Sequence, residues 1–137
     1  MDQVQDNIET IKEFTPLTDA DRAFLYDIAK VYLATGTIPC TGCRYCMDCP
    51  AGVNIPGVFK VYNDCAEIMV QAAASGEPKA YEKYLEAYAE AMKKLPQTEW
   101  AQHCVRCKKC TEHCPQGIPI YKKMEELKQI EQSALQK

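Results

Sequence analysis

The sequence predicts an all-α protein, and three observations support this prediction. Apolar residues recur at steps of three and four along four segments, which is the pattern of one face of a helix. Proline, glycine and small polar residues stand at the ends of these segments, where helices start and stop. No stretch shows sustained alternation of apolar and polar residues between turn dipeptides, so we predict no strand.

The first predicted helix begins near Thr18 and ends before Gly36. Thr18 and Asp21 have the spacing of a capping box, which stabilises the first turn of a helix. The apolar face comprises Leu25, Ile28, Ala29, Tyr32 and Leu33.

Two further helices are predicted in the middle of the chain. Asn54 is placed to cap the first of them and Gly76 to stop it, and its apolar face comprises Ile55, Phe59, Tyr62, Ala66, Met69 and Ala73. Pro78 stands at a first-turn position of the second, and Pro96 closes it. Its apolar face comprises Tyr81, Leu85, Tyr88, Met92 and Leu95. A last helix, with a frayed end rich in Gln and Lys, is indicated by Tyr121, Met124, Leu127 and Leu135.

The nine cysteines are the unusual feature of the composition. Eight of them form two tight groups, namely Cys40, Cys43, Cys46 and Cys49, then Cys104, Cys107, Cys110 and Cys114. The repeat continues past the cysteines, because CPAGVNI at 49–55 matches CPQGIPI at 114–120. The chain is therefore a duplicated motif around an insert, with two cysteine-rich loops joined and flanked by helices.

Bulk composition restricts the function classes. The chain has 137 residues, 47% of them hydrophobic and 26% charged, which fits one globular domain. A net charge of −3 without a basic block makes nucleic acid an unexpected partner. The sequence has neither a membrane span nor a signal pattern, so we expect a cytoplasmic protein with no membrane partner. In a reducing compartment, thiols serve metal or redox chemistry rather than disulfides.

The cysteine spacing points to iron–sulfur clusters. The bacterial run C-x2-C-x2-C-x3-C-P places three cysteines on one cluster and the fourth on the other. The second group has this spacing throughout, whereas the first has one residue fewer before Cys49. We therefore predict two [4Fe-4S] clusters, each with three ligands from one motif and a fourth from the other. One set is Cys40, Cys43, Cys46 and Cys114, and the other is Cys104, Cys107, Cys110 and Cys49.

Zinc is the main alternative, since it also binds four thiolates. Structural zinc sites usually use two C-x2-C pairs well apart in sequence, without consecutive two-residue gaps and a following proline. A disulfide framework fits an odd number of cysteines poorly.

Several other residues invite a functional interpretation. Cys65 has no neighbouring cysteine and is expected to be a small buried thiol. His103 and His113 flank ligand cysteines and are expected to act around the ligands or to be exposed. Trp100 is expected to shield the second site from water. The basic residues Arg44, Arg106, Lys108 and Lys109 either offset the charge of a reduced cluster, meet an acidic partner, or form a solvated loop.

The stretch CTGCRYCMDCPAGVNIPGVFKVYND followed by CVRCKKCTEHCPQGIPI resembles the C-terminal ferredoxin-type domain of iron–sulfur-containing aldo/keto reductases. NIETIKEFTPLTDADR is similar to the segment where the catalytic barrel of that family ends. The resemblance implies an α-helical ferredoxin fold over residues 18–137, preceded by a linker at 1–17. One departure is Asp48, where many relatives are expected to have proline.

The resemblance also implies an attached NADPH-dependent (β/α)8 barrel, as a covalently linked domain or a redox partner. This chain has no room for the barrel and no glycine-rich dinucleotide site, so we assign it no catalytic machinery of its own. The predicted function is that of a one-electron carrier. The alternatives are a structural or sensing zinc domain and a free-standing ferredoxin-like subunit of another redox enzyme.

Overall fold

The structure, a computed structural model, describes residues 1–12, 14–33, 36–76 and 78–135, without the side chains of Tyr32, Leu33, Met69, Ala72 and Ala73. Within these ranges all regular elements are helical, as predicted, and none is a strand. No helix among them is both long enough and apolar enough to cross a lipid bilayer. The chain divides into two compact units, Met1–Ala34 and Thr35–Lys137.

The first unit contains helices α1 (Asp2–Lys12) and α2 (Asp19–Leu33). The predicted capping box of α2 is confirmed, since Asp21 Oδ2 accepts hydrogen bonds from Thr18 N at 2.9 Å and Thr18 Oγ1 at 2.6 Å. Asp21 N in turn donates to Thr18 Oγ1 at 3.2 Å. Helix α1 lies within residues 1–17, the segment predicted as a linker.

The second unit contains the two cysteine motifs and four helices: α3 (Ile55–Ala74), α4 (Ala80–Met92), α5 (Lys109–Glu112) and α6 (Ile120–Leu135). Two short 3-10 turns, Gln97–Glu99 and Ala101–His103, lead into the second motif. Helices α3 and α4 are the two predicted bridging helices, and α4 also packs against α6. Their shared core includes Phe59, Tyr88, Met92, Met124 and Leu127.

Helix α3 begins where the sequence predicts. Asn54 Oδ1 accepts a hydrogen bond from Gly57 N at 3.2 Å, and Asn54 Nδ2 donates to Glu99 Oε2 at 2.8 Å. Asn54 N also donates to the Glu99 carbonyl at 2.9 Å. The cap of α3 therefore also ties the end of the first motif to the turn before the second.

The predicted helix faces are not all buried, since Leu25 and Ile28 of α2 are 50% and 41% exposed. Tyr81, predicted to lie in the apolar face of α4, is 54% exposed, whereas Tyr84 is buried. In α6, Leu135 is exposed and the carboxylate of Glu131 is buried. Pro78 precedes the first turn of α4, whose N-terminal flanking residue is Lys79. Met69 and Ala73 of the predicted α3 face, with Tyr32 and Leu33 of α2, lie outside the described side chains.

Candidate metal centre

The two cysteine motifs repeat in backbone conformation as well as in sequence. Three pairs of equivalent residues have left-handed φ angles, namely Gly42 and Arg106 (70° and 57°), Arg44 and Lys108 (66° and 67°), and Gly52 and Gly117 (72° and 63°). Met47 N donates to the Arg44 carbonyl at 2.9 Å, and Thr111 N donates to the Lys108 carbonyl at 2.9 Å. The duplication therefore extends to the path of the loops around the cysteines.

The motifs differ where the first is one residue shorter. The second forms the helical turn α5, which contains Cys110, although sequence reasoning predicted an irregular loop there. In the first motif, Asp48 has a φ of 67°, and no equivalent residue of the second motif is left-handed. Because the proline ring fixes φ near −65°, proline cannot occupy position 48 in this conformation. Asp48, where the resemblance predicts proline, thus has the left-handed conformation at the point where the first motif is one residue shorter.

The wider of two recesses brings Cys49 to the cysteines of the second motif. Its cysteine lining consists of Cys46, Cys49, Cys104, Cys107 and Cys110, around a cavity of about 340 Å³. Cys107 is exposed, and Cys49, Cys104 and Cys110 are half-buried. Met124 of α6 closes the recess on the core side.

The narrower recess brings Cys114 to the cysteines of the first motif. It is lined by Cys40, Cys43, Cys46 and Cys114, with walls formed by Phe59, Ile118 and Ile120. These three wall residues are buried in the core. The cavity volume is about 10 Å³, which is room for about one water molecule. The narrower recess therefore gathers three cysteines of the first motif with Cys114, and the wider one gathers three cysteines of the second motif with Cys46 and Cys49 of the first.

Thiol electrostatics couple cysteines both within and between the two motifs. Burial above all, with smaller contributions from the charges of Cys40, Cys110 and Cys43, raises the pKa of Cys46 to about 11 against a backbone hydrogen bond that lowers it. Burial is also the main cause that raises the pKa of Cys110, followed by the charges of Cys104, Cys107 and Cys49. A metal must displace the protons from these thiols, so metal binding releases protons.

Cys46 is the link between the two groups. It lines both recesses, it is only 8% exposed, and its pKa responds to Cys110 of the other motif. Within the described ranges, no three or more His, Cys, Asp or Glu side chains surround a point that a single metal ion could occupy.

The rim of the wider recess is cationic. Arg106, Lys108 and Lys109 line it, and Asp48 is the carboxylate among the lining residues. Lys108 Nζ lies 5.3 Å from the centroid of the Tyr121 ring. Arg106 Nη1 lies 3.6 Å from Glu125 Oε2. Helix α6 therefore holds two of the three cations at the rim.

The remaining candidate residues are Cys65, His103, His113 and Trp100. Cys65 is buried as expected, and burial raises its pKa. His113 lines the wider recess, whereas the ring of His103 is exposed, with Nε2 3.1 Å from the Gln97 carbonyl. Trp100 is buried, with Nε1 donating to the Leu95 carbonyl at 3.1 Å, but it lines neither recess.

Sequence reasoning missed Glu131. Its buried carboxylate accepts hydrogen bonds from Ala101 N and Gln102 N, both at 2.9 Å, and so fixes the 3-10 turn before Cys104. The only signal in the sequence is one glutamate in register with the apolar face of α6.

The residues present fit the group that the spacing implies. Two sets of four thiols are the donor chemistry of two [4Fe-4S] clusters, and the cysteines pack against a shared apolar core. The wider recess already has the volume, whereas the narrower one must widen to seat a cluster. Its outer side is the exposed loop 41–45.

Comparison with known proteins agrees with this chemistry. The family described as 4Fe-4S dicluster domain matches residues 39–119, which is more than half of the chain and includes both cysteine motifs. No curated protein and no solved structure matches the chain. The chain belongs to the 4Fe-4S dicluster domain family, and it is an iron–sulfur electron-transfer module.

Proposed function

We propose that the eight motif cysteines hold two [4Fe-4S] clusters by exchanging their fourth ligands. Cys40, Cys43, Cys46 and Cys114 bind one cluster, and Cys104, Cys107, Cys110 and Cys49 bind the other. The observation that supports this proposal is the lining of the two recesses, because Cys114 joins the cysteines of the first motif and Cys49, beside Cys46, joins those of the second.

Such clusters supply reversible one-electron chemistry when bound. The chain's own residues position and insulate them. Phe59, Ile118 and Ile120 keep water from the inner side of the narrower recess, and Met124 does so for the wider one. Cys43 and Cys107 are exposed, so each site reaches the surface, where an electron can enter or leave.

Metal analysis after anaerobic reconstitution tests the proposal. We expect about eight iron and eight sulfide per chain, with a reversible EPR signal on reduction. Zinc near stoichiometry without sulfide would instead support a structural four-cysteine domain. Iron and sulfide without a reversible redox signal would leave a sensing or structural role.

We further propose that the chain is the C-terminal part of an aldo/keto reductase-type oxidoreductase, whose barrel would bind NADPH. The support is the resemblance of residues 7–22 to the end of such a barrel. In addition, the unit Met1–Ala34 exposes Phe14, Phe24 and Val31, each by at least 64%. An apolar surface of this kind is typical of a unit that packs against another domain.

The genomic reading frame tests this attachment. A frame that continues upstream into eight βα repeats supports it, whereas a start codon at Met1 supports a free-standing subunit. Nine free thiols suit the reducing cytoplasm, which is the location we propose.

A further inference from the structure

We infer that the two sites have unequal reduction potentials, and that the site of Cys49, Cys104, Cys107 and Cys110 is reduced first because of the cations at its rim. This inference rests on the proposed function. It adds an order of electron uptake, which the repeated cysteine spacing by itself does not give.

The first support is charge. Arg106, Lys108 and Lys109 line the wider recess against one carboxylate, Asp48. The narrower recess has Arg44 as the charged residue in its lining. Each reduction adds a negative charge to the site, so additional positive charge nearby favours reduction.

The second support is that two of the rim cations are held in place. Lys108 lies over the ring of Tyr121, which itself lines the recess. Glu125 pairs with Arg106 and offsets part of its charge, which leaves Lys108 and Lys109 as the stronger contributors. Arg44 has no ion pair or ring contact within the described part of the chain, so water screens its charge more fully.

The third support is access to water. On the core side, the wider recess has a volume of about 340 Å³, against about 10 Å³ for the narrower one, whose inner walls are Phe59, Ile118 and Ile120, whereas on its outer side Cys40 also borders an open cavity of about 430 Å³. Water stabilises the extra charge of the reduced site, and apolar walls do not. Charge, anchoring and hydration thus favour the same order, in which an electron that enters at either exposed cysteine comes to rest at the second-motif site.

The repeat offers a matched pair of variants, Lys108→Asn and Arg44→Asn. The two positions are equivalent in the motifs, and both have left-handed backbones, φ 67° and 66°, which asparagine tolerates. Each substitution removes one positive charge beside one site. At a distance of about 10 Å and an effective dielectric of about 50, one charge changes the ratio of reduced to oxidised site about threefold.

The experiment is an anaerobic potentiometric titration of the reconstituted chain, with EPR counting spins per chain. We expect two separate waves. Lys108→Asn should move the wave at higher potential to lower potential, and Arg44→Asn should move only the other wave. Lys109→Gln, on the same rim as Lys108, should also move the wave at higher potential to lower potential. Agreement between the two variants would show that the shift in Lys108→Asn does not come from a folding defect.

The possible outcomes distinguish a failure of this inference from a failure of the proposed function. Coincident waves, or a shift of the lower wave by Lys108→Asn and Lys109→Gln, overturn the inference while the two-cluster function stands. A chain without iron and sulfide overturns the proposed function itself, and the inference with it.

Discussion

Asn63 of α3 binds both polar backbone groups of Ile38. Ile38 N donates to Asn63 Oδ1 at 2.8 Å, and Asn63 Nδ2 donates to the Ile38 carbonyl at 2.7 Å. Cys40 N also donates to the Ile38 carbonyl, at 2.7 Å. One amide of the bridging helix thus fixes the tight turn that leads to Cys40, the first cysteine of the first motif.

Replacing Asn63 by Ala should therefore loosen the first-motif site. Two partly buried hydrogen bonds are lost, at a cost of about 2 kcal/mol, and the Ile38 N–H loses its partner, whereas the Ile38 carbonyl keeps only the bond from Cys40 N. We expect the reconstituted variant to lose iron faster than the unmodified chain when it is challenged with a chelator. Asp64→Ala, at the exposed neighbouring position that pairs with Lys60, is the control, and it should change the rate little.

Gly57 should resist substitution by alanine, contrary to the usual preference of a helix. A Cβ at Gly57 would lie 2.8 Å from Asn54 Cγ, within the side chain that caps α3 and bonds Glu99. Alanine normally stabilises a helix interior by about 0.5–1 kcal/mol relative to glycine. Here the displaced cap should reverse the sign, to a loss of about 1 kcal/mol.

A double-mutant cycle checks the cause of this reversal. Thermal unfolding of Gly57→Ala should occur about 3–5 °C lower for each kcal/mol lost. In the background of Asn54→Ala, where no cap remains to be displaced, Gly57→Ala should be neutral or stabilising. Equal losses in both backgrounds would contradict the steric explanation.

Glu131 should make stability depend on pH. Burial raises its pKa above the ordinary value of 4.5, although the hydrogen bonds from Ala101 and Gln102 and the charges of His103 and Lys128 act in the opposite direction. The folded state therefore holds this proton more tightly than the unfolded state. The stabilising contribution is fully present below pH 4.5 and is lost as the pH rises through the folded-state pKa.

Glu131→Gln removes this titration. We expect the stability of the unmodified chain, relative to Glu131→Gln, to fall as the pH rises above 4.5 and through the folded-state pKa. Urea unfolding across that range measures the difference. A difference between the unmodified chain and Glu131→Gln that does not change with pH would refute the role of burial.

Local patterns predicted most of the fold. Asn54, Gly76 and the capping box at Thr18 mark helix ends through contacts with nearby backbone, which a sequence displays directly. The exposed Tyr81 and the buried Glu131 depend on how α4 meets α6 and how α6 meets the turn at Ala101, and no periodic pattern encodes those contacts. The left-handed Asp48 likewise follows from closing a shortened loop, so spacing alone predicted the ligand cysteines but not the loop that presents them.

Ligand exchange between the motifs has a sharp genetic test, because it predicts which pairs of lost cysteines share a site. Cys49→Ala combined with Cys107→Ala removes two ligands of one proposed set, so the other set should still bind about four iron per chain. Cys49→Ala combined with Cys43→Ala removes one ligand from each set, so little iron should remain. If each motif instead bound its own cluster, the two results would be exchanged. The reciprocal pairs made with Cys114→Ala, which retain iron with Cys43→Ala and lose it with Cys107→Ala, test the same rule from the other side. A general folding defect would lower iron in all four double variants, whereas the crossed pattern follows only from a fourth ligand supplied by the opposite motif.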